Sequence, residues 1–179
     1  MLKHLTIAAS ILGSTAAFAG NLIYNGGFEL GTDGFALHRI ITRKDMKHIP
    51  LELDSANAAH GKQAVKVTNP DGDYFEFYAS SFDLKPNTEY IFSMYAKTDV
   101  AGGIPLESLI HTKDWDIKRK FFNIKDKYAK YSFRFNSGKG GPHVIRFWSF
   151  QRTDPNGGWK GNLWLDDVSV TEAGAEETG

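Results

Sequence analysis

Leu84-Lys85-Pro86-Asn87-Thr88-Glu89-Tyr90-Ile91-Phe92-Ser93-Met94-Tyr95-Ala96-Lys97 carries the pattern from which the architecture can be read. Lys85-Pro86-Asn87 is turn chemistry, because proline presets φ and asparagine tolerates left-handed backbone. The run Glu89–Lys97 behind it is rich in aromatic and apolar residues and reads as a strand. The same unit, a short apolar run set off by turn residues, recurs in both directions along the chain. Candidate strands are Asn21–Tyr24, Phe35–Thr42, Ile49–Asp54, Gln63–Thr68, Tyr74–Leu84, Glu89–Lys97, Pro105–Thr112, Lys118–Asn123, Lys130–Phe135, His143–Arg152 and Asn162–Thr171. Turn signals separate them at Asn69-Pro70-Asp71-Gly72, Ala101-Gly102-Gly103, Gly138–Pro142 and Asp154–Gly158. No segment holds a 3.6-residue period for three turns. The one helical candidate is a short turn near Ser55–Ala59. So many short strands predict an all-β sandwich or barrel.

The 179 residues, 41% hydrophobic and 13% aromatic, suit one domain with a sizeable core and exclude a disordered chain. Basic and acidic residues balance at 21 each, which argues against a nucleic-acid partner held by net positive charge. The absence of cysteine excludes disulfides, thiolate metal sites and a cysteine nucleophile. At the start, Lys3 and His4 precede the apolar run Leu5–Leu12, and Ala17-Phe18-Ala19 has the form of a cleavage site. Residues 1–19 therefore read as a signal peptide, 20–172 as the folded domain and 173–179 as a flexible tail or the start of a linker. The apolar run is too short to span a bilayer, and no later stretch is apolar enough. The expectation is a secreted or periplasmic monomer with no membrane span.

Alternation along the strands sorts core from surface. Between His143 and Arg152, Ile145, Phe147 and Ser149 share one face, while Arg146, Trp148, Phe150 and Arg152 share the other. Two arginines do not enter an apolar core cheaply, so the second face meets solvent or ligand. Tyr74, Glu76 and Tyr78 alternate with Phe75, Phe77 and Ala79. Glu107, Leu109 and His111 alternate with Leu106, Ser108 and Ile110. Three strands thus each offer a face mixing aromatic with charged or hydrogen-bonding groups.

Four segments resemble the CenC-type carbohydrate-binding modules of families 4, 9 and 22. They are Asn21-Leu22-Ile23-Tyr24-Asn25-Gly26-Gly27-Phe28-Glu29, Gly61–Val67, Leu84–Lys97 and Gly161-Asn162-Leu163-Trp164-Leu165-Asp166-Asp167-Val168-Ser169-Val170. They occur in the family's order and span the chain from Asn21 to Glu172. The resemblance implies a jelly-roll β-sandwich of the galactose-binding-like type. It also implies a structural Ca²⁺ held by Glu29 and Asp166, with the carbonyl of Gln63 or a neighbour completing the shell of hard oxygens. The alternative is that Glu29 caps a turn and Asp166 makes a local hydrogen bond. Asp167, one residue on, is expected on the opposite side of its strand.

Sugar rings need aromatic platforms for their C–H faces and planar polar partners for their hydroxyls. The resemblance places the ligand across a concave sheet built from these mixed-face strands. Trp148 is the expected platform, with Arg146, Tyr74, Glu76, Tyr78, His111, Glu107 and Arg152 around it. Trp115 and Trp159 lie in loops, where each either stacks on ligand or folds back over the core. Trp164 reads as a packing residue. A glycosidase would need two carboxylates about 5–9 Å apart on the cleft, and no such pairing is encoded in the spacing. No His-x-His or His-Glu-x-x-His metal motif occurs. The expected function is non-catalytic binding of a β-glucan- or xylan-type polysaccharide, beside a glycoside hydrolase in the family's usual pattern. The alternative is an adhesion or protein-interaction module on the same fold, or less favoured an accessory part of a glycoside hydrolase or lyase.

Overall fold

The computed structural model describes residues 20–41, 51–72, 74–149 and 158–174, with the backbone alone for residues 36–41 and 74. The signal-peptide segment, Arg152 and the tail beyond residue 174 lie outside the described residues. Among the described residues eleven strands form: β1 Phe35–Ile41, β2 Leu51–Asp54, β3 Ala64–Asn69, β4 Tyr74–Ala79, β5 Phe82–Leu84, β6 Glu89–Thr98, β7 Ile104–His111, β8 Ile117–Ile124, β9 Ala129–Asn136, β10 Gly141–Trp148 and β11 Gly161–Glu172. Among the described residues there is no helix, and none long and apolar enough to cross a membrane.

The strands build two sheets. One is six-stranded, in the order β1-β4-β10-β7-β8 with β5 against the start of β10; the other is five-stranded, β2-β3-β11-β6-β9. Every pairing is antiparallel. The core lies between the sheets, as the alternation predicts. Phe75, Phe77, Leu106, Ile110, Ile145 and Phe147 of the first sheet meet Val65, Val67, Phe92, Met94, Leu163 and Leu165 of the second. Phe147 stacks on Phe77 at 4.6 Å between centroids and lies 6.2 Å from Phe92 of the facing sheet. Large aromatics supply much of this burial, which suits a cysteine-free domain.

The observed strands depart from the expected ones at two places. Asn21–Tyr24 is not a strand. It is pinned to β11 by the Leu22 N–H donating to the Val170 carbonyl at 2.9 Å, while the Asn21 carboxamide oxygen accepts from Ile23 and Val170 N–H groups. The side chain of Asn21 takes over acceptor work that a strand backbone would do, so the ladder does not propagate. The run Tyr74–Leu84 breaks at Ser80 and Ser81 into β4 and β5. Ser80 donates both its N–H and its hydroxyl to the Gly34 carbonyl, which turns the chain away from the ladder. The loop tryptophans also separate: Trp159 is buried, edge-on to Phe75 at 5.2 Å, whereas Trp115 is exposed.

Candidate functional site

The outer face of the six-stranded sheet collects most of the expected residues. Register fixes their rows. Glu76 on β4 faces Trp148 on β10, which faces Glu107 on β7, which faces Phe121 on β8. The next row is Tyr78, Arg146, Leu109 and Arg119. The third is Val144, His111 and Ile117. Tyr74 closes the β4 end opposite Ile41. Each of these residues is isolated in sequence. Antiparallel pairing puts them side by side because paired residues project to the same face.

Two ion pairs run across this face. Arg146 Nη1 donates to Glu76 Oε1, and Arg119 Nη1 to Glu107 Oε1 at 3.3 Å. The carboxylates lie deep, with side-chain exposures of 11% for Glu76 and 0% for Glu107; the guanidinium-bearing side chains are 20% and 41% exposed. Such depth is tolerable for a carboxylate only because a cation and hydrogen bonds accompany it.

Trp115, not Trp148, offers the open ring. Trp148 is half-buried in its row, while Trp115 is 52% exposed. The β7–β8 loop presents it with φ of 60°, a left-handed conformation that costs an ordinary residue roughly 1–2 kcal/mol. Thr112 fixes the loop: its carbonyl accepts the Trp115 N–H at 3.1 Å, and its hydroxyl accepts the Asp116 N–H at 3.3 Å. The indole lies parallel to the His111 ring, 4.7 Å away and 5° from coplanar, and the Arg146 guanidinium carbon is 5.3 Å from the indole centroid. It therefore roofs the third row while leaving ring surface to solvent. Phe121, 43% exposed, is the second open ring. Sequence reading left Trp115 undecided and passed over Arg119 and Phe121. The alternation Ile117, Arg119, Phe121 on β8 was the available signal, the same mixed face seen on the other three strands.

The setting of His111 favours its neutral form. Burial is the largest influence and pushes its pKa below the ordinary imidazole value, opposed by the hydrogen bond to the Thr112 carbonyl and reinforced by the Arg146 charge. Its Nδ1 sits 2.7 Å from that carbonyl and so carries the proton. Nε2 then presents a lone pair, buried and without a hydrogen-bond partner among the described residues.

At the other expected site, Glu29 Oε1 accepts the N–H groups of Lys62 at 2.7 Å and Gln63 at 3.4 Å. Asp166, fully buried, accepts those of Ala59, His60 and Asp167 at 2.8, 3.0 and 2.8 Å. Burial raises the Asp166 pKa, and its three N–H partners oppose that. The side-chain amide of Gln63 donates to the Phe28 carbonyl at 2.6 Å. Both carboxylates thus grip the loop before β3, Glu29 across 33 and 34 residues and Asp166 across 107 and 106. Among the described residues no three or more His, Cys, Asp or Glu gather as a metal-binding group. The donors present are hard oxygens, and a carboxylate has about four lone-pair sites. In donor chemistry they fit Ca²⁺. Asp167 is not carried clear of this region: a bulge between Asp166 and Ser169 gives Asp167 a φ of 46°, and its carboxylate pairs with the His60 ring.

No protein-family model matches this chain, and no curated protein matches it. Solved structures do. The enzymatically active domain of bacteriophage CBA120 tailspike protein 4 matches with a TM-score of 0.65 at 12% identity, over 85% of this chain and 21% of that one. The module TmCBM61, solved with β-1,4-galactotriose, matches with a TM-score of 0.60 at 14% identity, over 85% of this chain and 98% of the module. The CBM22-1 xylan-binding domain of Paenibacillus barcinonensis Xyn10C matches with a TM-score of 0.53 at 16% identity, over 88% and 94%. The chain has the two-sheet β-sandwich fold of these solved structures, the architecture that the sequence resemblance implies.

Proposed function

We propose that this domain binds a polysaccharide of β-glucan or xylan type, without catalysis, across the outer face of the six-stranded sheet. The observation that carries the reading is the loop-held, solvent-open ring of Trp115 over His111 and Arg146. A left-handed tryptophan kept exposed by the loop hydrogen bonds of Thr112 contributes little to the core, so its strain is better explained by a ligand. Phe121 lies in the row of Glu107, four residues along β7 from His111. At ~3.3 Å per residue the two open rings stand roughly 13 Å apart along the strands. One sugar ring cannot touch both, so the face suits a chain.

Support also comes from the similar proteins, one of which was solved with a galactotriose and another of which is a xylan-binding domain. In this reading Trp115 and Phe121 stack on sugar faces. Arg146, Arg119 and Tyr78 meet hydroxyls, Glu76 and Glu107 hold the two arginines from beneath, His111 carries the Trp115 ring, and Trp148 supports the platform from within its row. Glu29, Asp166 and the Gln63 carbonyl would hold a Ca²⁺ ion that ties the N-terminal segment to β11. The protein would act outside the cytoplasm, beside a glycoside hydrolase.

Affinity electrophoresis in gels cast with single polysaccharides tests the proposal. Retardation by β-glucan or xylan is expected. Free migration through β-glucans, xylan, mannan, pectin and alginate would overturn it in favour of the protein-interaction alternative.

A further inference from the structure

We infer that the chain bound on this face carries uronate groups, and that Arg119, with Arg146 beside it, reads their carboxylates. This rests on the polysaccharide-binding proposal above and names the chemical class of its ligand.

The argument is one of depth. Both acidic side chains in the described rows of the face, Glu76 and Glu107, are already partnered by Arg146 and Arg119. The four charges cancel in number but not in position. The carboxylates are 11% and 0% exposed, their arginines 20% and 41%. A ligand arriving from solvent therefore meets guanidinium groups first. Charges nearer the ligand dominate its interaction energy, since Coulomb attraction falls with distance.

The geometry suits a planar anion. Arg146 and Arg119 occupy one row, on either side of the fully buried Leu109. Two strand spacings of ~4.8 Å put their backbones about 10 Å apart, within converging reach of two long side chains. A guanidinium has five N–H donors, and Arg119 spends Nη1 on Glu107 in a bond of 3.3 Å. The rest of its fork remains for a bidentate contact with a carboxylate, for which arginine is suited where lysine is not. The arginine row lies between the Phe121 row and the Trp115 loop, so a sugar held there has stacked neighbours on both sides.

The plainer account is that Arg119 belongs with Lys118 and Lys120 as charge protecting the edge strand β8 from pairing with another chain. Lys118 is spent on Asp116 at 2.7 Å. Arg119 differs in lying over a fully buried carboxylate on the ligand side, which edge protection does not require.

The test compares native glucuronoxylan with the same polymer after carboxyl reduction, alongside neutral β-glucan. Retardation is measured at low and high salt for the unmodified domain, Arg119→Gln and Arg119→Lys. The expected result is at least tenfold tighter binding of the acidic polymer at low salt, an advantage that shrinks at high salt. The ratio should fall close to one in Arg119→Gln and to an intermediate value in Arg119→Lys, with thermal melting confirming that both variants fold. Equal binding of the native and reduced polymers by the unmodified domain would overturn the inference and leave polysaccharide binding standing. So would an acidic preference that survives in both variants. Retardation by none of the polymers would remove both proposals together.

Discussion

Replacing Trp115 with alanine separates a ligand platform from a packing residue. An indole buries roughly 150–250 Å² when fully covered. With 52% of Trp115 exposed, a sugar on its open face covers about 100 Å², worth up to about 2.5 kcal/mol at ~25 cal/mol/Å². A pyranose face is only partly apolar, which brings this to about 1–2 kcal/mol, and ring-specific contact adds roughly 0.5–1.5 kcal/mol by analogy with aromatic pairs. Trp115→Ala should thus weaken binding by roughly 1.5–3.5 kcal/mol, about 10- to 350-fold in Kd. The folded state loses the stack on His111 and the exposed cation–π contact with Arg146, together about 1 kcal/mol. That corresponds to a drop of roughly 2–4 °C in Tm for a domain of this size. Retardation in xylan and β-glucan gels, paired with thermal melting, reads both quantities. A Kd within twofold of the unmodified protein, in a variant that melts normally, would refute the assignment of Trp115. Trp148→Ala should lower Tm by more than Trp115→Ala does, because that ring is half-buried in its row.

Other perturbations have defined outcomes. His111 has its pKa pushed below 6.5 in the folded state, so its contribution is fully present above pH 6.5 and is lost as pH falls through the folded value. Tm should therefore fall on acidification from pH 7 to 5, with a shallower slope in His111→Asn, and an equal slope in the two proteins would place the cause elsewhere. A Cβ on Gly26 would sit 1.9 Å from the Val168 carbonyl oxygen, at a point where Val168 N–H also donates to the Gly26 carbonyl. Gly26→Ala should cost about 1–3 kcal/mol of overpacking and roughly 2–12 °C in Tm, measured by differential scanning calorimetry. Added Ca²⁺ should raise the Tm of chelator-treated protein, and Glu29→Ala or Asp166→Ala should abolish the response. No response in unmodified protein shown by elemental analysis to be metal-free would exclude the ion.

Local elements and their two faces are legible in the residues alone. Alternation of Phe75, Phe77, Ile145 and Phe147 with Glu76, Tyr78, Arg146 and Trp148 states which side of each strand is core, because the side-chain period of a strand is two. The sequence also shows turns at Lys85-Pro86-Asn87 and Ala101-Gly102-Gly103, where backbone preference is a property of the residues themselves. Interruptions by side-chain hydrogen bonding were harder to read. Asn21 and Ser80 end or prevent strands through partners 149 and 46 residues away, which no local window contains.

Which tryptophan faces solvent is a property of the assembled fold. Trp115 and Trp159 both sit in loops, yet one roofs His111 and the other packs on Phe75. Direction in a loop is set by the loop's contacts with the rest of the fold. Pairing partners were equally nonlocal. Glu76 meets Arg146 across 70 residues, and Glu107 meets Arg119 only because β8 folds back on β7 in that register. Whether a charge ends up beneath the surface or upon it follows from such pairings, and with it the character of the face a ligand meets.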